Sequence, residues 1–143
     1  IELAGDINSH MPEYVAERIS DLFNKRLVKA INKSSILVLG VAYKKDIQDI
    51  RESPALDVIK LLEDKGARVT YNDPYVSSFA WKGKPLKSVK LNAQMLKKAD
   101  LVVILTNHTD YDYQWIVDNS RVVFDTRNAT RDVARGRNKI ELL

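Results

Sequence analysis

The stretch that most constrains this chain runs from Ile36 to Leu62, ILVLGVAYKKDIQDIRESPALDVIKLL. Ile36, Leu37, Val38 and Leu39 form an unbroken apolar run, as expected of a strand covered on both faces in a parallel sheet, and Gly40 ends it. The helix that follows has its start and stop written into the sequence. Ser53 can cap it through its hydroxyl, and Pro54 suits the first helical position because its missing N–H would have no partner there. Asp57 adds negative charge near the positive end of the dipole. Ala55, Val58, Ile59 and Leu62 recur at helical spacing and give one apolar face, while Gly66 is placed to close the helix in the left-handed conformation.

Between strand and helix lies a charged loop, residues 41–52, too long for a minimal βα turn. Loops of that length in compact domains are often functional. In an open parallel sheet, ligands bind beyond the carboxyl ends of the strands, where this loop emerges. Its cations Lys44, Lys45 and Arg51 point to an anionic ligand such as a phosphate.

Two further apolar runs, Leu101 to Leu105 and Val122 to Phe124, read as parallel strands. Polar loops follow both, Thr106 to Asp110 and Asp125 to Asn128. Ala67, Val69 and Tyr71 alternate with polar residues, the pattern of a strand with one less buried face, and Asp73-Pro74 stops it. Residues 75–90 are too turn-rich for a long element and predict at most a short strand near Ser88 to Lys90. Asn92 can cap a short helix through Ala99, and a second short helix is expected around Tyr113 to Asp118. Residues 1–34 read as a helical lead-in opened by Pro12, with Val15, Ile19, Leu22 and Phe23 on one face. The tail from Asp132 predicts a partly ordered terminal helix or an extended end. Strands alternating with helices imply a three-layer α/β/α, Rossmann-like domain with a mainly parallel sheet.

Composition bounds the function. A length of 143 residues with 45% hydrophobic content suits one domain with a real core. No apolar run approaches membrane-spanning length, and no secretory signal is visible. The absence of cysteine excludes disulfides, thiolate metal sites and a cysteine nucleophile within this chain. His10 and His108 give no metal-ligand spacing. A net charge of +4 serves phosphate ligands or solubility, and the cations are mixed with acids, unlike a nucleic-acid-binding stripe. The chain begins at Ile1 within an apolar phrase, so a piece of a longer protein is expected.

GVAYKKDIQDIRESPALDVIKLL, followed by GARVTYNDPYV and VVFDTRN, resembles the C-terminal, UDP-binding domain of the UDP-glucose/GDP-mannose dehydrogenase family. The similarity spans nearly the whole chain, and the AYKKD and RESPAL wording is similar to bacterial UDP-N-acetylhexosamine (glucosamine or mannosamine) 6-dehydrogenases. The resemblance implies that residues 1–34 end a central connecting helix region and that residues 35–143 bind a nucleotide sugar. It implies a cytoplasmic, NAD-dependent enzyme of polysaccharide biosynthesis that oxidises the C6 alcohol of a UDP-sugar twice, to the carboxylate. The nucleophilic cysteine, the general-base lysine and the NAD-binding glycine loop would then lie in upstream domains, leaving this fragment inactive alone. A homo-oligomer, a dimer at least, is implied for the complete enzyme.

By the same resemblance, Tyr43 and Lys44 hold the UDP part of the substrate, Arg127 contacts substrate, and Arg51 reaches NAD held by another domain. Each has a plainer reading. Lys44 can be a solvated loop lysine, Arg127 can pair with Asp125 or a loop acid, and Arg51 can pair with Asp49 or Glu52. Lys45, Asp46 and Asp49 match the motif without an assigned role and default to a solvated face. His108 is expected to have a loop hydrogen-bonding role more than to act as an acid or base, and Tyr111, Tyr113 and Trp115 to pack. No GxGxxG follows any strand, so the usual dinucleotide fingerprint is missing. The rivals are a non-catalytic Rossmann-like module that binds a nucleotide or a regulatory partner, and a nucleic-acid-binding domain.

Overall fold

The computed structural model describes residues 2–143, with side chains from His10 onward; Ile1, where the expected lead-in begins, lies outside the described residues. Helix α1 (Glu2–Leu22) leads through a π-helical turn (Phe23–Leu27) to β1 (Ser35–Leu39), α2 (Pro54–Asp64) and β2 (Arg68–Asn72). A hairpin of β3 (Ser78–Trp81) and β4 (Lys84–Lys87) precedes α3 (Ala93–Lys98) and β5 (Leu101–Ile104). Helix α4 (Tyr113–Asn119), β6 (Val123–Asp125), a 3-10 turn (Arg137–Lys139) and β7 (Ile140–Leu142) complete the chain.

The main sheet has five strands in the order β2-β1-β5-β6-β7, all parallel. Strands β1, β5 and β6 are buried as their apolar runs require. Alternate residues of β1 face opposite layers. Ile36 and Val38 pack in one core with Val15 and Ile19 of α1 and Val58, Ile59 and Leu62 of α2. Leu37 and Leu39 pack in the other with Leu96 of α3 and Ile116 and Val117 of α4. The result is the expected three-layer sandwich, with β1 and β5 side by side at its centre.

The ends of α2 are as the sequence reads. Ser53 accepts the Ala55 N–H at 3.3 Å and Pro54 is the first helical residue. Gly66, at φ +92°, donates to the Glu63 carbonyl while Ala67 donates to Leu62, the paired bonds of a Schellman motif.

Two expectations need correction. Pro12 lies inside α1 and does not open it, because its fixed φ is helical and a long helix bears the loss of one backbone bond. Residues 75–90 hold the β3–β4 hairpin, and Ser88 to Lys90 form no strand. The turn is Lys82-Gly83, both at positive φ, which fits the twist of two-residue hairpins, with lysine standing where Asn or Asp would have announced it. Of the two forms expected for the tail, the structure shows the extended end: a short 3-10 turn leads into β7 beside β6. Arg18 of α1 ties this last strand down, donating to the Leu142 carbonyl at 2.9 Å.

Candidate functional site

The direction of the chain reverses around the centre of the sheet: β2 lies on one side of β1 and β5 on the other. Ligands of open α/β sheets gather at such a point, beyond the strand ends. Here the loops after β1 and β6, the end of β5, the start of α2 and part of α1 enclose a cleft of about 520 Å³. That volume is in the range of small-molecule sites, about 300–1,000 Å³. Tyr43, Arg127, Thr126 and Glu52 supply its polar groups, and Leu105, Val15, Val58, Ala55, Met11 and Pro12 supply apolar wall.

Arg127 reaches the cleft from the end of β6. Its backbone N–H donates to the Asp125 carboxylate at 2.9 Å and its Nε to the Leu105 carbonyl at 3.0 Å. No side-chain ion pair to Asp125 forms, and among the described residues the two Nη groups have no partner. The guanidinium is thus held by one edge with its other donors free for a planar or bidentate anion. Asp125, only 1% exposed, also accepts from the backbone of Ala129 and Thr130 and from the Thr130 hydroxyl. One buried carboxylate therefore shapes the whole turn that carries Arg127.

Tyr43 enters from the other side, on the loop after β1. Gly40 makes the exit from the strand possible. At φ +86° it is left-handed, and a Cβ there would stand 2.5 Å from the Thr106 carbonyl oxygen. Beyond it, Asp73 at the end of β2 accepts the N–H groups of Val41 and Ala42 at 2.8 and 3.1 Å, and that of Tyr75 at 2.8 Å. His108, fully buried, stands 2.9 Å from the same carboxylate through Nε2. Its Nδ1 accepts the Asp46 N–H at 2.8 Å, so Nε2 carries the hydrogen and donates to Asp73. Burial alone would raise the Asp73 carboxyl, but the His108 bond and the backbone donors hold it below its ordinary value.

The expected residues divide as follows. Tyr43 and Arg127 line one cleft; Lys44 is exposed and does not line it, its ammonium lying 5.6 Å from the centre of the Tyr43 ring. Arg51 forks onto Asp49, with Nε–Oδ1 3.2 Å and Nη2–Oδ2 3.1 Å, and that contact holds the Asp49 carboxyl below its usual value. Its side chain is 87% exposed, so the pair contributes little to stability. Asp46 is not simply solvated: it accepts both the N–H and the hydroxyl of Thr109, joining the loops after β1 and β5, and the Thr109 N–H lowers its carboxyl. His108 has the loop-bonding role expected of it. The Tyr111 hydroxyl donates to Asn72 and that of Tyr113 to the His108 carbonyl, both as parts of the packing. Burial pushes both phenols well above their ordinary range.

Sequence reasoning missed the parts played by Asp73 and Asp125. Both accept the N–H two residues onward, a local turn pattern that could have flagged them; the bonds of Asp73 to residues 41, 42 and 108 have no local signal. Among the described residues, no group of three or more His, Asp or Glu side chains is arranged to hold a metal ion.

Comparison with known proteins gives one answer. Residues 37–132 match the UDP-binding domain of the UDP-glucose/GDP-mannose dehydrogenase family. The chain is 32% identical over 136 residues to a UDP-N-acetyl-D-mannosamine dehydrogenase of Methanococcus maripaludis, covering 90% of this chain and 30% of that protein. It is 34% identical over 114 residues to the enzyme of the same description from Campylobacter jejuni, covering 78% of this chain and 27% of that protein. The solved UDP-D-ManNAc dehydrogenase of Pyrococcus horikoshii superposes with a TM-score of 0.75 at 26% identity, over 94% of this chain and 31% of that one. The chain thus spans about 30% of the length of the relatives it matches. It belongs to the UDP-glucose/GDP-mannose dehydrogenase family, and it is that family's UDP-binding domain.

Proposed function

We propose that this domain holds the UDP part of a UDP-sugar for an NAD-dependent 6-dehydrogenase that oxidises the C6 alcohol to a carboxylate. The observation that carries the reading is the meeting of Tyr43 and Arg127 in one cleft beyond the strand ends, with both Nη groups of Arg127 unspent among the described residues. In this reading Arg127 takes the diphosphate, and Lys44 adds positive charge at the rim on a flexible stem. Tyr43 lies against the nucleotide. A remote part of the substrate, once fixed, holds the sugar near reacting groups on other domains, so this domain supplies orientation and does no bond chemistry.

NAD, as hydride acceptor, belongs to the proposed complete enzyme. The exit of β1 does not build a seat for it: Gly40 leads straight into buried Val41 and Ala42, whose N–H groups are spent on Asp73. Arg51, with its side chain exposed, is the contact proposed for NAD carried elsewhere. An N-acetylhexosamine as the sugar follows the relatives' descriptions and the motif wording; a homodimer, a cytoplasmic setting and a part in polysaccharide precursor synthesis complete the proposal, on the family resemblance alone.

The test is calorimetric titration of the protein with UDP, UDP-N-acetylglucosamine and GDP. Saturable binding of the uridine ligands in preference to GDP supports the reading. Equal affinity for UDP and GDP, or no binding of any of the three, overturns it.

A further inference from the structure

The segment that carries Tyr43 and Lys44 is gripped from behind on both sides. Upstream, the Asp73 carboxylate takes the N–H groups of Val41 and Ala42, the two peptides that lead into Tyr43. Downstream, Nδ1 of His108 takes the Asp46 N–H, and Thr109 clasps the Asp46 carboxylate at 2.8 and 2.9 Å. Nε2 of His108 closes the frame by meeting Asp73. The rings of Tyr75 and Tyr111 lie 4.8 and 6.0 Å from the imidazole, and neither Asp73 nor His108 lines the cleft. Asp73 is 2% exposed and His108 0%, so neither can touch a ligand there.

We infer that Asp73 and His108 are positioning residues for the nucleotide cleft, fixing the path of residues 41–46 so that Tyr43 faces Arg127 before any ligand arrives. This rests on the UDP-binding reading and extends it to groups buried behind the site. The physical basis is preorganisation: a loop already held in its binding shape does not have to be ordered when ligand binds. Asp46 sits at φ +63°, so the segment between the two grips is not one that an untethered chain prefers. Asp73 comes from the end of β2 and His108 from the loop after β5, and the frame thus locks the loops of three strands to each other.

The test uses the full-length protein and measures UDP affinity by calorimetry well below the melting temperature. Alongside it, hydrogen exchange is followed at the amides of Val41, Ala42 and Asp46. His108→Ala should weaken UDP binding about tenfold, as the ordering cost returns to the binding step, and should speed exchange at those amides. His108→Gln, which restores a donor toward Asp73, should recover part of that loss. Thr109→Val removes only the hydroxyl clasp on the Asp46 carboxylate at an exposed position, where water can replace it; it should weaken binding about threefold. Ile116→Val, in the opposite core, controls for stability and should leave affinity unchanged. If wild type binds UDP and both His108→Ala and Thr109→Val bind it equally tightly, the positioning role is wrong while the UDP reading stands. If wild type does not bind UDP, both fall. Should His108→Ala fail to fold, Thr109→Val decides the matter.

Discussion

Removing the Asp125 carboxylate should be among the costliest single changes near the cleft. Its oxygens accept from Arg127 N at 2.9 Å, Ala129 N at 3.1 Å, Thr130 N at 2.8 Å and the Thr130 hydroxyl at 2.6 Å. Asp125 is 1% and Thr130 0% exposed, so in Asp125→Ala the Thr130 donors lose their acceptor out of reach of solvent. The hydroxyl can rotate to another acceptor, but the N–H cannot. At about 1–3 kcal/mol for each buried group left unpaired, the expected loss is about 2–4 kcal/mol. Asp125→Asn keeps the shape and one oxygen, yet turns an amide NH₂ against one of the backbone donors, at about 1–3 kcal/mol. Urea unfolding reads this directly. With a slope of about 2 kcal/mol/M, a 3 kcal/mol loss lowers the midpoint by about 1.5 M. Midpoints for both variants within about 0.2 M of wild type, at unchanged slope, would refute the view that this carboxylate organises the turn carrying Arg127.

Gly40→Ala should destabilise by about 2–4 kcal/mol, combining left-handed strain with overpacking, because the new Cβ meets Thr106 backbone and side-chain atoms at 2.5 Å. A thermal melt that matches wild type would contradict the close approach of the two strand ends. Acid should weaken the fold through Asp73. Its carboxyl is depressed in the folded state, so as pH falls the unfolded chain binds the proton first. Its contribution is therefore full above the ordinary carboxylate range, near pH 4, and is lost as pH drops through the lower folded value. Asp73→Asn should flatten that part of the pH–stability curve; an unchanged acid limb would show that the His108 bond and backbone donors do not hold the charge.

Much of the fold was legible because its cues are local. The apolar runs at 36–39 and 101–105 announce buried strands, and the Ser53-Pro54 start and Gly66 stop of α2 are chemistry of adjacent residues. The β3–β4 hairpin was hidden because Lys82 occupies a left-handed turn position that Asn or Asp would mark, and because Pro85 stands within an edge strand. Of the site, Tyr43 and Arg127 were legible from strand ends and motif, and the structure puts them in one cleft. Lys44 follows Tyr43 in sequence but does not line that cleft, since adjacent residues of a loop need not face the same way. The frame behind the loop was not legible, because Asp73 and His108 bond to residues about thirty and sixty positions away, brought near only by the order of the strands.

The most direct measurement is the affinity of Arg127→Ala for UDP beside that of wild type, with the fold of both verified by near-ultraviolet circular dichroism. A charge-assisted contact to the diphosphate contributes about 1.5–3 kcal/mol, so the dissociation constant should rise roughly 10- to 150-fold. Equal affinities in two equally folded proteins would mean that the diphosphate does not sit against this guanidinium, and the cleft between Tyr43 and Arg127 would lose its claim to the nucleotide.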